Sequence, residues 1–312
     1  MVKNLELILA KVSATGAAES LTGSDYLPAL ADSKIDLTLS AEPVRVVAGD
    51  MNNKLPSVPG GALMDAELSF HMFGGTTPKW LTLTECAAFA VSQASVGGGV
   101  KYTIDQSGTQ KYLVAEFFTG AKGSSTAISY KGHGGTFGFA ISGEWGKPVL
   151  FKLTGGKMAV SEWPAMATQP SITKPDNYIP ALKQSSQVVV GSTTFKPVKF
   201  EINGNMTIDQ MIDTTSEFVN GIAQATEKDI TGTITVYEET LATNDPYTFY
   251  KNQVIDDFEI TWGKTNEKIT ISSTHVQITD VKRSTQGNLT VWDLSLNFLD
   301  DFTITVNSDL SD

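Results

Sequence analysis

The sequence predicts a mainly β protein built from two tandem β-sandwich domains, each with a short flanking α-helix and a long loop. Three observations support this fold class. Apolar side chains alternate with polar ones at a period of two, the breaks between these segments are rich in Gly, Asn, Asp and Ser, and the order of elements repeats once along the chain. A chain of 312 residues is long enough for two domains.

The predicted strands are the alternating segments. In residues 62–73, for example, Leu68, Phe70 and Met72 are separated by polar residues. Such alternation places one face of a strand on a core and the other in solvent or against a partner. The predicted strands are 62–73, 99–104, 111–119, 136–144 and 148–154 in the first half, and 229–238, 257–262, 267–273, 275–282, 288–298 and 302–306 in the second.

Two short helices are predicted, each directly after a strong strand. Residues 78–90 open with Pro78 and space their apolar residues at helical intervals. Residues 245–253 open in the same way, with Asp245 followed by Pro246. Because the strand–helix order occurs twice, the sequence indicates a duplicated domain.

The domain boundaries follow from composition. A segment rich in Pro, Ala, Thr and Gln separates the halves, which predicts a first domain at 1–165, a linker at 166–180 and a second domain at 181–312. Each half also contains a long polar segment without clear periodicity, at 48–61 and 205–228. Loops of this length in a compact domain are typical of functional or mobile segments.

The charge balance argues against tight nucleic-acid binding. The chain carries 34 acidic and 23 basic residues, and residues 171–312 hold 20 of the former and 10 of the latter. An acidic surface repels phosphate, and the chain has only two arginines with which to contact bases. The same acidity is also a simple means of keeping a protein soluble.

Other composition features exclude further classes. No apolar run reaches eighteen residues, so no membrane-spanning helix is expected. Glu6 interrupts the apolar start, which is therefore not typical of a secretion signal. The lone cysteine, Cys86, excludes an internal disulfide and is predicted to be a core thiol, so assembly in a cytoplasm is expected.

No catalytic, metal-binding or phosphate-binding motif is present in the sequence. His71, His133 and His275 lie far apart, and the glycines around His133 predict a hairpin turn. We therefore predict no enzymatic activity, no cofactor and no metal. Trp145 and Trp262 each precede Gly-Lys in predicted turns, where they either stack on sugars or close the ends of a sandwich.

The most specific pattern lies between residues 112 and 155. Residues 112–120 form a strand ending at a glycine, 135–139 a Gly-Thr-Phe strand, and 146–155 a Gly-x-Pro turn with a final strand. Residues 230–234 and 245–250 continue a similar order in the second half. In this order the segments resemble the major tail tube protein of long-tailed, non-contractile bacteriophages, in its two-domain form. Where that family often has arginine, this chain has Lys, Gln or Ser.

The resemblance implies two tail-tube-like domains and a structural role in the virion. Six such domains, from three chains, would form a pseudo-hexameric ring whose inner sheets join as a barrel, and rings would stack head to tail into a hollow tail tube. DNA would pass through the lumen without specific binding, and an acidic lumen would repel its phosphates. The implied partners are further copies of the chain and the tape-measure, terminator and distal tail proteins, with no membrane involved. Assembly would occur in the bacterial host cytoplasm.

The resemblance also implies that the two long loops are arms that contact a neighbouring subunit or ring. The candidate contact residues are Asp50, Met51, Asn52, Asn53, Lys54, Leu55, Asp209, Met211 and Asp213. The alternatives are a related tail ring protein that forms a closed ring, and a glycan-binding or adhesive β-sandwich surface protein.

Overall fold

The computed structural model describes residues 5–42, 58–73, 78–87, 90–96, 99–105, 109–120, 127–172, 182, 186–213, 220–239, 245–264, 267–299 and 301–309. Within these residues the protein is mainly β, as predicted, with two short α-helices and one connected antiparallel sheet. The helices are α1 (Lys79–Leu83), which continues as a 3-10 turn over Thr84–Ala87, and α2 (Pro246–Lys251).

The first eight strands belong to the first half of the chain. They are β1 (Leu5–Ser13), β2 (Lys34–Glu42), β3 (Val58–His71), β4 (Ala90–Val96), β5 (Gly99–Asp105), β6 (Tyr112–Thr119), β7 (Ala127–Glu144) and β8 (Leu150–Ala167). The second half contributes β9 (Gln187–Val190), β10 (Thr193–Phe195), β11 (Pro197–Ile212), β12 (Asn220–Tyr237), β13 (Ile255–Lys264), β14 (Glu267–Gln286), β15 (Leu289–Phe298) and β16 (Thr303–Asp309).

An eight-stranded layer runs through both halves in the order β14-β15-β12-β11-β7-β8-β3-β2. The halves meet where β7 pairs with β11, from Glu144 opposite Lys199 to Phe139 opposite Gly204. We call this junction the seam. Each half contributes four strands, and the order β2-β3-β8-β7 is repeated as β11-β12-β15-β14. The strand order of the sheet is therefore the same in the two halves.

A second set of strands packs beside this layer. The strand β14 is long enough to take part in both, because residues 269–272 pair with β13 and β16 whereas residues 276–286 pair with β15. β16 in turn pairs with β5, a strand of the first half. Strands of the two halves therefore pair at two separate places, β7 with β11 and β5 with β16.

The main core is an apolar cluster that includes residues of both halves, and a smaller cluster lies around Leu9 and Phe118. Phe139 on β7 contacts Phe151 on β8 and Phe302 next to β16, with ring centroids 6.4 Å and 5.5 Å apart. Trp80 on α1 packs on Phe151, so the first helix covers this part of the core. Each such buried side chain contributes about 1.5–3 kcal/mol. The two-domain division at 166–180 stays a prediction, because β8 runs to Ala167 and residues 173–180 lie outside the described part.

Several sequence-based element predictions are wrong in detail. Residues 205–228 were expected to be a loop, but most of them form the distal part of the β11–β12 hairpin, paired from Asn205 opposite Asp229 to Ile212 opposite Asn220. The predicted strands 267–273 and 275–282 are one strand, β14. The first helix is also shorter than predicted, since β4 begins at Ala90.

The glycine-rich segment around His133 is another correction. It was predicted to be a hairpin turn, but it lies inside β7. The glycines are needed for close packing, because a Cβ on Gly135 would lie 2.8 Å from Cγ of Met158. The glycines that predicted a turn are therefore required by close packing inside the strand.

Candidate functional site

The eight-stranded layer has one apolar and one polar face. The register of the ladders assigns side chains to faces: Thr235 lies opposite Asp293, and Asn203 lies opposite both Thr231 and Ala140. The apolar face packs on the core, whereas the other presents short hydroxyl and amide side chains across all eight strands. These are Thr38, Ser69, Ser142, Thr154, Asn203, Thr231, Thr233, Thr235, Ser284, Ser295 and Asn297.

The charges of this polar face are nearly balanced. Seven carboxylates and five lysines project from it: Asp36, Asp65, Glu67, Glu144, Glu201, Asp280 and Asp293, with Lys34, Lys152, Lys157, Lys199 and Lys282. Some of them are paired, as in the 2.9 Å contact between Lys34 and Glu67. Most of the net acidity of the chain therefore lies elsewhere.

Hydrogen bonds hold the polar face in register. The Thr235 hydroxyl donates to Asp293 Oδ1 at 2.5 Å, and the Ser284 hydroxyl donates to Asp293 Oδ2 at 2.6 Å. One carboxylate thus links three neighbouring strands. Over the seam the face dips into a groove of about 350 Å³, lined in part by Ser142, Glu144, Lys199, Glu201, Thr233 and Thr235.

Both ends of the eight-stranded layer present a strand edge. At one end, β2 pairs with β3 on one side, and no described strand pairs with its other side. At the other end, residues 278–286 of β14 pair with β15 alone within the described chain. The eight strands alternate in direction, so β2 and β14 run antiparallel to each other. An edge of this kind is a template for pairing with another chain.

Like charges face each other beside the β2 edge. Asp36 on β2 lies opposite Asp65 on β3, and Lys157 on β8 lies on the far side of Asp65. Burial raises the pKa of Asp65, Asp36 adds to this effect, and Lys157 opposes it. Directly opposed carboxylates destabilise a strand pair. The edge therefore carries an excess of negative charge.

The sequence-predicted contact residues fall into two groups. Asp50, Met51, Asn52, Asn53, Lys54 and Leu55 lie outside the described residues. Asp209, Met211 and Asp213 lie near the end of the β11–β12 hairpin, on or just after β11. Met211 and its neighbour Ile212 are 54% and 73% exposed.

This hairpin is seated against the first half of the chain. The Ile222 Cα and Cγ1 atoms lie 3.1 Å from the position of a Cβ on Gly134, and Ile222 Cδ1 lies 3.2 Å from that of Gly16. Both glycines have a positive φ, so any other residue at these positions would strain the backbone as well as crowd Ile222. The Thr136 hydroxyl donates to the Ala223 carbonyl oxygen at 2.7 Å. The hairpin is thereby fixed to β7 while its end stays exposed.

His133 lies next to this seat. Its Nδ1 is 2.8 Å from the Ser161 hydroxyl. Burial lowers the pKa of the imidazole, and the nearby Asp213 carboxylate acts in the opposite direction. Cys86 is fully buried, and burial raises the pKa of its thiol far above the usual range, in agreement with the predicted core role. In the described residues no group of three or more His, Cys, Asp or Glu is placed to hold a metal ion.

The tryptophans divide into buried and exposed ones. Trp80, Trp262 and Trp292 are buried, and Trp262 lies inside β13, not in the predicted turn. Trp145 is at the turn after β7 and is 43% exposed, and Trp163 on β8 is 44% exposed. Only these two present a ring to solvent, and they lie on opposite ends of the β7–β8 pair.

The chain matches no protein-family model, and no curated protein matches it. No helix in the described part is both long and apolar enough to cross a membrane.

Sequence reasoning missed the polar face and the two edges. Alternation identified the individual strands, but the partner of each strand is set by long-range pairing that no local pattern records. A usable signal was nevertheless present, because the outward positions of the predicted strands hold Thr, Ser and Asn instead of apolar residues.

Proposed function

We propose that the chain is a structural virion protein whose copies join into rings, and that these rings stack into the hollow tube of a phage tail through which DNA passes. The observation that carries the proposal is the continuous eight-stranded layer, which has a polar face and, among the described residues, a strand edge without a partner at each end. The sequence resemblance described above agrees with it.

The geometry of the layer favours a closed ring of three copies. Because β2 and β14 run antiparallel, β2 of one copy can pair with β14 of the next in the same antiparallel manner as every other pair in the layer. Three copies then give 24 strands, and both described edges of the eight-stranded layer gain a partner. At about 4.8 Å between strands and a tilt of about 40°, the diameter between opposite backbones is about 48 Å. Barrels with 16–18 strands already enclose a water-filled channel.

The polar face suits the lumen of such a tube. Its hydroxyl and amide side chains bind water, and its carboxylates outnumber its lysines, so phosphates meet no net attraction. The apolar face lies on the core, as it must if the polar face is to line a channel. Passage of DNA without binding is the property that this arrangement supports.

The exposed end of the β11–β12 hairpin supplies a contact between rings. Met211 and Ile212 project from one end of the layer, and head-to-tail contacts between unlike surfaces generate open filaments. We propose that these residues contact the next ring, and that residues 50–55 do so as well. Other tail proteins would cap the tube at its two ends.

Electron microscopy and analytical ultracentrifugation of the purified chain test this function. Rings of three copies, or tubes with a hollow centre, are expected as the concentration rises. A chain that stays monomeric at every concentration and salt condition contradicts the proposal.

A glycan-binding or adhesive surface protein is the second candidate, and the exposure of Trp145 and Trp163 is the observation that favours it. Quenching of tryptophan fluorescence by saccharides separates the two functions. Quenching that is lost in the Trp145→Ala and Trp163→Ala variants, with a monomeric chain, supports the adhesive role.

A further inference from the structure

We infer that neighbouring copies are joined by pairing β2 of one copy with residues 280–286 of β14 of the next, in the register that places Asp36 opposite Lys282. This inference rests on the proposed function, because it concerns how copies meet within a ring. It adds the residues and the register of the joint.

The seam inside the chain is the template for this joint. The order β2-β3-β8-β7 in the first half corresponds to β11-β12-β15-β14 in the second. β14 is therefore the counterpart of β7, and β2 is the counterpart of β11. Because β7 pairs with β11 within the chain, the equivalent pairing between copies is β14 with β2.

The ladder pairs fix how the two halves correspond. Matching His71 with Tyr237, the last residues of β3 and β12, and following the pairs across β8 and β15 also matches Glu144 with Gln286. Those two are the last residues of β7 and β14. Two independent strand ends thus agree on one correspondence.

This correspondence transfers the register of the seam to the joint. Lys34 matches Glu201, and Ser284 matches Ser142. Because Glu201 lies opposite Ser142 at the seam, Lys34 is expected to lie opposite Ser284 at the joint. Two residues further along, the seam pair Asn203 and Ala140 becomes Asp36 opposite Lys282.

The charges favour the same register. Sliding the joint by two residues in one direction places Lys34 opposite Lys282 and Asp36 opposite Asp280, which are two like-charge pairs. Sliding it in the other direction places Asp36 opposite Ser284 and removes the attraction. Opposite charges stabilise a cross-strand pair, whereas like charges destabilise it.

The apolar side of the joint agrees as well. The same register places Leu37 opposite Val281, and each is a partly buried residue that packs on the edge of the core. Pairing them extends the core from one copy to the next. This strand pair therefore continues both the polar face and the apolar face of the layer from one copy to the next.

The β2 edge gains most from this partner. Asp36 already faces Asp65 across the strand pair, so an ammonium on its other side relieves an existing repulsion. Lys282 is well placed to supply it, because its side chain is 75% exposed and it lies on the edge strand, opposite Asp293 of β15. Its 2.8 Å contact with Asp280 is to a residue of its own strand.

Charge reversal tests the pair. Asp36→Lys alone and Lys282→Glu alone are each expected to weaken ring formation about tenfold per joint, and the double variant is expected to restore it. Lys268→Glu is the matched control, because it makes the same change in β14 at a residue that pairs inside the chain. Circular dichroism of each variant checks that the chain is folded.

Disulfide trapping tests the register. Lys34→Cys with Ser284→Cys is expected to cross-link neighbouring copies, because opposed Cα atoms are within disulfide reach. Lys34→Cys with Gln286→Cys and Lys34→Cys with Lys282→Cys report the two slipped registers. Cys86 does not interfere because it is fully buried.

The outcomes separate the joint from the function. If the wild-type chain forms rings and both single charge-reversal variants form them equally well, the joint is overturned. The same holds if the cysteine variants cross-link only in a slipped register. In both cases the proposed function still stands. A wild-type chain that never forms rings overturns both.

Discussion

The hydroxyl of Thr136 donates a 2.7 Å hydrogen bond to the carbonyl oxygen of Ala223, and both residues are fully buried. Thr136 belongs to the first half of the chain and Ala223 to the second. The same hydroxyl oxygen accepts from Gln110 Nε2 at 2.6 Å. The Thr136 side chain on β7 therefore links β12 of the hairpin with the segment before β6.

Replacing Thr136 by Val tests this link. The change keeps the shape but leaves the Ala223 carbonyl buried without its donor, which is expected to cost about 1–3 kcal/mol of unfolding free energy. Urea unfolding followed by circular dichroism measures the loss. Thr136→Ser keeps the hydroxyl and should unfold close to the wild type; equal losses in both variants would contradict the role of the bond.

Gly204 is a position where the seam tolerates no side chain. It lies opposite Phe139, and a Cβ there would meet the Phe139 ring at 1.8 Å. Gly204→Ala is expected to destabilise the chain by about 1–3 kcal/mol because the ring must move out of a packed core. Thermal unfolding measures it. Asn203→Ala, one residue away on the polar face, is the control and should have a much smaller effect.

His133 makes stability depend on pH. Because burial lowers its pKa in the folded state, the unfolded chain takes up the proton first as the pH falls below about 6.5. Stability is therefore expected to fall with decreasing pH from there until the lowered pKa is reached. In His133→Gln this part of the pH dependence should disappear in urea unfolding measured from pH 7.5 to 5. An unchanged pH profile would rule out His133 as its source.

The end of the β11–β12 hairpin is expected to act between rings. Changing Met211 and Ile212 together to Ser removes exposed apolar surface without touching the seat at Ile222, so the chain should fold and form rings but not tubes. Electron microscopy counts the two species. Tyr250→Ser, which removes an exposed side chain on α2, is the control and should leave tubes intact. Tubes of normal length from the double variant would exclude the hairpin as the contact.

A deletion tests the other predicted arm. Removing residues 50–57, which lie outside the described part of the chain, should leave circular dichroism unchanged and stop growth beyond single rings. Sedimentation velocity reports the size of the assemblies. Long tubes from this variant would remove these residues from the ring contact.

The sequence allowed the strands to be predicted where burial is one-sided. Residues 288–298 were placed within about a residue at each end, because the buried Leu294 and Leu296 alternate with polar residues such as Ser295 that are less buried. The distal hairpin was missed because most of its residues are not buried and its strands are held by main-chain pairing, as between Asp209 and Gln224, which leaves no regular apolar period to detect.

The seam was beyond sequence reasoning for a different reason. Its partners, such as Ile141 and Ile202, are far apart in the chain, and their pairing is decided by the sheet as a whole. The candidate contact residues Asp209, Met211 and Asp213 were predicted to lie in a loop, whereas they lie near the end of a hairpin, and their contact role stays a prediction.

The seam also sets an order of events during synthesis. The edge of β7 from Phe139 to Glu144 leaves the ribosome well before residues 199–204, its partners, have been translated. Translation at about 5–20 residues per second leaves that edge waiting for seconds, during which it is open to other nascent chains. A fragment that ends before β11 never acquires its own partner. Such a fragment should associate through β7, whereas the whole chain protects the same edge by completing itself.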